Sequence, residues 1–334
     1  MKVDLALPEG GPVDAREFAS SAERAGYAAV WTSEIRHDPL TTLALAAVAT
    51  ERVDLGTAIA LAFARNPMTL ALQANDVHQL SQGRLLLGLG SQVKAHITRR
   101  FSMPWSHPVA RMREFVLAMR AIWECWNSGD RLNFRGDFYT HTLMPPFFNP
   151  GPNPYGGPRV LLAGVGAAMT AAAGEVTDGF LCHGFTTERY LREVTLPALQ
   201  KGRGTDLSGF EIGGLPFVAT GDTEEEMAQA CAGVRERIAF YGATPAYRGV
   251  LDLHGWGELA DELHALSVSG RWSEMGALVD DDALAAFAVV EEPDRVAGEL
   301  LRRYGDVMTR MTLYTPYPID PALSARIAHD ISRR

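Results

Sequence analysis

Short apolar runs alternate with amphipathic helical stretches along most of this chain. A short apolar run bounded by turn residues is typical of a buried strand, whereas apolar residues that recur every three or four positions indicate a helix. The strand pattern occurs at residues 2–7, 28–31, 53–60, 85–89, 159–163, 179–181, 210–218 and 307–314. Because parallel strands need a crossover helix between them, eight strands that alternate with helices predict an α/β TIM (β/α)8 barrel rather than a doubly wound sheet.

Capping residues mark the starts of several predicted helices. Asp14 and Glu17 have the spacing of a capping box. Asn66 precedes a proline, and this pair is favoured at the N-cap and first position of a helix. Thr223 precedes three glutamates, whose negative charge stabilises the first turn of a helix. We therefore expect helices to begin just after Asp14, Asn66 and Thr223.

Two segments interrupt the alternation, at about residues 127–158 and 243–291. The first is rich in proline, glycine, asparagine and aromatic residues, and the second has short helical patterns without a strand pattern. We predict that residues 1–334 form a single domain with insertions after strands four and seven. Long loops in compact domains are usually functional, so we expect both insertions to act as lids over the barrel mouth.

Composition narrows the range of partners. The chain has 334 residues, of which 47% are hydrophobic, and this is enough for one large barrel. A net charge of -9 and a pI near 5.5 disfavour nucleic acid and anionic membranes as partners, because both attract basic surfaces. The sequence also lacks a stretch of about 18 uncharged apolar residues. We expect a cytoplasmic protein that acts on a small molecule.

The cysteines point to the same compartment. Cys125, Cys182 and Cys231 are odd in number, widely spaced, and lack the close Cys/His spacing of metal sites. We expect buried thiols in a reducing cytoplasm and no metal site.

Candidate functional residues follow the predicted strands, because the active site of an α/β barrel is built from loops at the carboxyl ends of its strands. The residues in such positions are Glu34, His37, Ala58, Ile59, Ser91 and Gln92. The run AGVGAAM at residues 163–169 places small residues before a predicted helix, whose free N–H groups favour an anion. The chain lacks a GxGxxG turn after the first strand, a Walker A motif, an HExxH motif and a GxSxG motif with a plausible triad. These residues alone therefore define no mechanism.

Several longer runs of sequence resemble a known superfamily. They are GYAAVWTSE, ERVDLGTAIA followed by RNP, LSQGRLLLGLGSQ, RMREFVLAMRAIW and TDGF. The runs are similar to those of the bacterial luciferase-like flavin monooxygenases, a superfamily of TIM barrels, and the likeness covers most of the chain. Within the superfamily, the chain most resembles the actinobacterial branch that uses the deazaflavin coenzyme F-420 in place of FMN.

The resemblance implies that a flavin-type ring lies at the ends of the second, third and fourth strands. The third strand would end in a bulge with a cis peptide between Ala58 and Ile59 that supports the central ring. Glu34 would lie beside the ring and accept or relay a proton, with His37 close by. His96 stands where relatives often have an asparagine that faces the ring. Glu34, His37 and His96 are thus the predicted catalytic residues.

The loop after the fourth strand would close the far side of the ring. We predict that Ser91 and Gln92 contact the cofactor there, in addition to Ala58 and Ile59. Val93 occupies a position that is glutamate in a sugar-phosphate dehydrogenase of this group. That departure argues against the same proton donor and substrate in this chain.

The resemblance also implies that the phosphate of the cofactor lies at the loops after strands five and six. The predicted residues are Ala163, Gly164, Val165 and Gly166 in the first loop and His183 and Gly184 in the second. TIM barrels of many kinds bind phosphate near their later strands, so this site alone does not separate F-420 from FMN.

By this resemblance, the protein would transfer a hydride between C5 of F-420 and a small organic substrate. An FMN-dependent monooxygenase that uses oxygen is the close alternative. A catalytically inactive flavin-binding barrel is an alternative of another class, and lyases or isomerases with phosphate sites share the same fold. Members of the superfamily are often dimers, so the resemblance implies a homodimer.

Overall fold

A barrel of parallel strands forms the centre of the computed structural model, which describes residues 1–8 and 11–333. In chain order the strands are β1 (Lys2–Ala6), β2 (Ala29–Thr32), β3 (Asp54–Thr57), β4 (Ala60–Leu61), β5 (Leu85–Gly90), β6 (Phe134–Arg135), β7 (Thr140–His141), β8 (Arg159–Gly164), β9 (Gly179–Cys182), β10 (Glu211–Gly214), β11 (Phe217–Ala219), β12 (Ala288–Val290) and β13 (Arg310–Thr312). The barrel order is β1-β2-β3-β5-β8-β9-β10-β13, and β13 pairs with β1 to close the ring. The predicted eight-stranded TIM barrel is confirmed.

Helices surround the barrel. They are α1 (Ala15–Arg24), α2 (Pro39–Ala47), α3 (Pro67–Leu80), α4 (Pro108–Ser128), α5 (Ala167–Val176), α6 (Glu188–Tyr190), α7 (Leu196–Arg203), α8 (Glu224–Gly242), α9 (Arg248–Leu253), α10 (Gly257–Val268), α11 (Trp272–Met275), α12 (Asp281–Phe287), α13 (Pro293–Tyr304) and α14 (Pro321–Arg333). Two π-helical turns, His96–Arg100 and Leu191–Thr195, follow β5 and α6. Short 3-10 turns occupy Ala62–Ala64, Pro146–Phe148, Pro245–Tyr247 and Gly276–Leu278.

Two of the three predicted helix caps are confirmed. The Asn66 side chain accepts a hydrogen bond from the backbone N–H of Thr69, and Thr223 forms a reciprocal capping box with Glu226. The prediction for Asp14 is wrong, because its side chain makes no capping hydrogen bond. Its backbone has φ -94° and ψ -8°, a helical conformation rather than the extended one that turns an N-cap side chain toward the first helical turn.

Buried charges fill the barrel near the amino ends of its strands. Arg310 lies between Asp4 and Glu211, with its Nε 2.8 Å from Asp4 Oδ2 and its Nη1 3.1 Å from Glu211 Oε1. Trp31 Nε1 donates to Asp4 Oδ2 at 2.9 Å. Burial raises the pKa of Asp4 to about 6, although the charge of Arg310 opposes that shift. The charges of Arg310, Asp4 and Glu211 are paired with one another at this end. The active site of a TIM barrel lies at the opposite end, at the carboxyl ends of the strands.

The strand predicted at residues 210–218 is divided in the structure. β10 stays in the barrel, whereas β11 pairs in parallel with β12, which lies inside the second insertion. The expectation of an insertion without strands is therefore wrong. β12 has only three residues, too few for a recognisable pattern, and its hydrogen bonds come from a strand some seventy positions earlier in the chain.

α8 belongs to the second insertion and not to the outer helical ring. Its buried residues Ala230, Val234 and Ile238 share an apolar cluster with the other helices of the insertion. By contrast, Val296 and Leu300 of α13 belong to the main cluster between the barrel and its helices. α13 is therefore the helix that covers the barrel between β10 and β13, although the sequence pattern assigns α8 to that place.

The first insertion lies along α4. The backbone N–H groups of Asp137, Phe138 and Tyr139 all donate to the carboxylate of Glu114, which lies on α4. Further along, the Asn153 side chain donates to the side-chain oxygen of Asn75 on α3. These contacts anchor the segment to α4 and α3, and its expected role as a lid over the mouth stays a prediction.

Candidate functional site

The loops after β2 and β3 are joined by backbone and side-chain hydrogen bonds. The peptide between Ala58 and Ile59 is cis, as predicted. The Ala58 N–H donates to the Thr32 carbonyl at 2.8 Å, and the Ser33 hydroxyl donates to the Ala58 carbonyl at 2.7 Å. The Glu34 N–H donates to the Ile59 carbonyl at 3.2 Å. The bulge is thus fixed from the loop after β2, at the mouth of the barrel.

The Glu34 carboxylate is held next to this bulge by Arg65 and by the backbone of Leu61. Its Oε2 accepts from the Leu61 N–H at 2.7 Å and from Arg65 Nη1 at 2.5 Å. Arg65 Nη2 also donates to Asp38 Oδ2 at 2.7 Å. Burial alone would raise the pKa of Asp38, but hydrogen bonds from Thr41 and Arg65 outweigh burial and hold that pKa below its usual range. The geometry therefore makes Glu34 a support of the bulge, and its predicted role in proton transfer stays a prediction.

His37 and His96 are both exposed, on the loops after β2 and β5. The two loops meet, because Arg100 Nη2 donates to the Ile35 carbonyl at 2.6 Å. His96 begins the π-helical turn of the second loop. The structure thus brings both histidines to neighbouring loops at the mouth, where their predicted catalytic roles stay predictions.

Ser91 and Gln92 turn the chain away from the end of β5. Gln92 has a positive φ of 60°, and its side-chain Oε1 accepts from the Val93 N–H at 2.9 Å. The Ser91 hydroxyl donates to the Gln92 carbonyl at 3.1 Å. Both side chains are half-buried at the mouth. Their bonds are local, and contact with a cofactor stays a prediction.

The loops after β8 and β9 come together around a small cavity. Gly164 and Val165 line it from one loop, and His183 and Phe185 line it from the other. The Tyr190 hydroxyl donates to the Val165 carbonyl at 3.1 Å and ties the loops together. Two loops that are separate in sequence thus line one cavity, and phosphate binding there stays a prediction.

The amino end of α5 opens onto these loops. Gly166 is its N-cap in an extended conformation, and no side chain caps the helix. A β-carbon added at Gly166 would have no neighbour within 4 Å, so there is open space beside the first N–H groups. Ala163 precedes Gly164 at the end of β8. Small side chains and free N–H groups fit a phosphate, which supports the predicted phosphate role of residues 163–166.

His183 is the polar centre of the second loop. Its Nδ1 accepts from the Phe185 N–H at 3.0 Å, and its Nε2 lies 3.3 Å from the hydroxyl of Tyr247. Burial lowers the pKa of His183 to about 4, so the ring is neutral at pH 7. The neighbouring Gly184 is buried. His183 therefore meets the second insertion through Tyr247 and acts as a fixed neutral group.

Aromatic residues of the second insertion cover this side of the mouth. Tyr241 and Tyr247 pack on the His183 ring with centroids 4.7 and 4.6 Å away. The hydroxyls of Tyr241 and Tyr314 are 3.0 Å apart, and the Tyr314 ring stacks on Phe217 at 4.8 Å. These contacts place the insertion against the loop after β9 and the end of β13, and its role as a lid stays a prediction. Sequence reasoning missed these tyrosines, because nothing in the local pattern links them to the loop after β9.

Within residues 1–8 and 11–333, no group of three or more His, Cys, Asp or Glu side chains is placed to hold a metal ion. Over the same residues, no helix has both the length and the apolar character needed to cross a bilayer.

A family model for luciferase-like monooxygenases matches residues 3–310. The chain belongs to the luciferase-like monooxygenase family. An uncharacterized protein of Mycobacterium tuberculosis is 51% identical to this luciferase-like protein over 314 residues, which cover 93% of this chain and 92% of that protein. An F-420-dependent glucose-6-phosphate dehydrogenase of Rhodococcus erythropolis is 31% identical over 207 residues, which cover 58% of this chain and 59% of that enzyme.

Solved structures share the fold of this luciferase-like protein. The coenzyme F-420-dependent tetrahydromethanopterin reductase from Methanopyrus kandleri superposes with a TM-score of 0.81 at 19% sequence identity. The match covers 99% of this chain and 98% of that one. Barrel and insertions together thus follow an architecture that is already known.

Proposed function

We propose that this luciferase-like protein is an oxidoreductase that transfers a hydride between C5 of F-420 and a small organic substrate. The observation that carries the proposal is the meeting of the loops after β8 and β9, where the small residues 163–166 and the amino end of α5 lie beside His183. That donor set fits the phosphate of such a cofactor. The relative that is an F-420-dependent dehydrogenase supports F-420 over other cofactors.

F-420, when bound, supplies the carbon that donates or accepts the hydride, and the chain supplies positioning and exclusion of water. The N–H groups at the start of α5 would hold its phosphate. The bulge at Ala58 and Ile59, fixed by Thr32, Ser33 and Glu34, would support the ring. The second insertion packs over the ends of β9, β10 and β13 and would keep water from that side of the site.

The runner-up function is an FMN-dependent monooxygenase, which the description of the family itself favours. The phosphate loops suit FMN equally well, because both cofactors carry a phosphate on the same kind of chain. A binding-only barrel without activity is the third possibility. A binding titration separates F-420 from FMN, and a turnover assay separates an enzyme from a binding-only barrel.

The test is a fluorescence titration of the purified protein with F-420 and, separately, with FMN. We expect F-420 to bind with a Kd below about 100 µM, which corresponds to about 5.5 kcal/mol, and to bind more tightly than FMN. Tighter binding of FMN would overturn the proposal in favour of the monooxygenase. Binding of neither cofactor would rule out both redox functions. F-420 binding with no turnover across a panel of ketones, aldehydes and alcohols would favour the inactive barrel.

The same preparation tests the expected oligomer. We propose a homodimer on the resemblance alone, and size-exclusion chromatography with light scattering would show a particle of twice the chain mass.

A further inference from the structure

A groove with a volume of about 430 Å³ lies on the second insertion, beside the segment that follows β13. Its size is that of a small-molecule site. The residues that line it include Glu236, Arg237 and Phe240 of α8, Trp272 and Met275 of α11, and Pro316 after β13. We refer to this site as the α8 groove. It shares none of its lining residues with the cavity between the loops after β8 and β9.

Arg237 is the half-buried cation of the α8 groove. Its guanidinium lies over the rings of Phe240 and Tyr241, with Cζ 5.7 and 6.0 Å from their centroids. Among residues 1–8 and 11–333, no carboxylate is within ion-pair distance of Arg237. The aromatic faces hold the guanidinium in place, and a held guanidinium can bind a planar carboxylate through two hydrogen bonds. Arg237 therefore suits an anionic ligand.

The arginines next in sequence to the lining residues are already paired. Arg235 pairs with Asp281, and Arg271 pairs with Glu274. Their charges are matched within the protein, whereas the charge of Arg237 is available to a ligand.

Glu236 is the acidic side chain of the α8 groove, and it is exposed. Its aliphatic part lies against Gly276, where an added β-carbon would be 3.2 Å from Glu236 Cγ. Water and salt screen an exposed carboxylate more strongly than a half-buried guanidinium. A ligand anion would therefore gain more from Arg237 than it loses to Glu236.

Two exposed aromatic side chains give the α8 groove an apolar wall. Phe240 is 47% exposed and Trp272 is 51% exposed, and their ring centroids are 5.8 Å apart. Met275 also lines the groove and is buried. A cluster of large apolar side chains at the surface marks a binding site, and a flat ring can stack on such side chains.

We propose that the α8 groove binds a small aromatic carboxylate, with its carboxylate on Arg237 and its ring against Trp272 and Phe240. Tyr241 contacts both Arg237 and the His183 ring, so the groove adjoins the loop after β9 without opening into its cavity. The inference goes beyond the proposed hydride transfer and does not require F-420.

The first experiment locates the ligand. The probe is 2-naphthoate, a flat aromatic carboxylate. In protein labelled with ¹⁵N-tryptophan, the indole signal of Trp272 is assigned by its loss in Trp272→Phe. We expect 2-naphthoate to shift this signal, both with and without F-420. Binding without the shift would overturn the proposal, because the ligand would then lie elsewhere.

The second experiment measures what the charge of Arg237 contributes. The neutral 2-naphthamide has the same ring system, and we expect 2-naphthoate to bind more tightly in ligand-observed NMR titrations. Arg237→Gln should weaken binding of 2-naphthoate about tenfold, the effect of one hydrogen-bonded charge, and that of 2-naphthamide less than about twofold. The control is Arg24→Gln, at an exposed arginine of α1, which should change neither affinity.

Glu236→Gln is the matched variant within the α8 groove. We expect it to bind 2-naphthoate as tightly as the natural protein or more tightly, because it removes a like charge. Weaker binding would show that the site needs both charges, as for a zwitterion, and would overturn the proposal.

Three further results would overturn the proposal. They are equal or tighter binding of 2-naphthamide, an unchanged affinity for 2-naphthoate in Arg237→Gln, and a Kd for 2-naphthoate above about 1 mM. The comparison of the two probes on the natural protein needs no substitution, so it decides the matter even if Arg237→Gln does not fold.

Discussion

Arg65 Nη1 lies 2.5 Å from Glu34 Oε2, in an ion pair that joins the turn after β4 to the loop after β2. Only 13% of the Arg65 side chain and 8% of the Glu34 side chain are exposed. The pair anchors the residue that also bonds Ile59 and Leu61. The position of Glu34 at the mouth of the barrel suggests a catalytic residue, but its contacts show that it also has a structural role.

The exchange Glu34→Gln tests that task. It removes the charge while keeping the shape, so Arg65 loses one of its two carboxylate partners. We expect a loss of about 1 to 3 kcal/mol in the free energy of unfolding, measured by urea denaturation. The control is Glu274→Gln, whose pair with Arg271 is more than half exposed, so this substitution should lower the free energy of unfolding less than Glu34→Gln does. Equal losses in the two variants would show that the buried Glu34–Arg65 pair contributes no more to the free energy of unfolding than an exposed pair.

The close approach of Gly88 to β3 gives a second prediction. A β-carbon at Gly88 would lie 1.9 Å from the Thr57 carbonyl oxygen and 2.7 Å from Leu181 Cδ1. Because the first of these neighbours is backbone, Gly88→Ala must shift a strand, and we expect a loss of about 3 kcal/mol by urea denaturation. Gly157→Ala is the control, since a β-carbon there has nothing within 4 Å. We expect the control to change stability by no more than about 0.5 kcal/mol. A tolerated Gly88→Ala would disprove the strand contact.

Stability should depend on pH through His183. Its pKa is lowered by burial from 6.5 to about 4, so the unfolded chain takes up a proton at a higher pH than the folded one. Protonation therefore favours unfolding, and this stability is present above pH 6.5 and lost as the pH falls toward 4. When the pH falls from 7 to 5, the free energy of unfolding of the natural protein should decrease because of His183. In His183→Gln the decrease over the same range should be smaller by about 2 kcal/mol.

The matched control for the pH experiment is His329→Gln, because His329 is exposed on α14. This variant should keep the pH dependence of the natural protein. An unchanged slope in His183→Gln would mean that His183 is not buried in its neutral form.

The local pattern of the sequence determined the barrel. The spacing of apolar residues within a strand or helix shows which of its faces is buried. This spacing is a property of the local sequence and does not depend on distant parts of the chain. Asn66 and Thr223 were recognisable for the same reason, because a cap acts on N–H groups only two or three residues away. The resemblance added the cis peptide at Ala58 and Ile59, which is confirmed, and the two phosphate loops, which stay a prediction.

Tertiary structure alone decided the contacts between segments far apart in the chain. Tyr247 reaches His183 across 64 positions, and β11 pairs with β12 from the far end of the insertion. The first insertion lies along α4 because the Glu114 carboxylate accepts three of its backbone N–H groups. The local sequence around Glu114 does not predict these hydrogen bonds. Local periodicity fixes burial, whereas the partner of a buried polar group depends on which loops the closed barrel brings together.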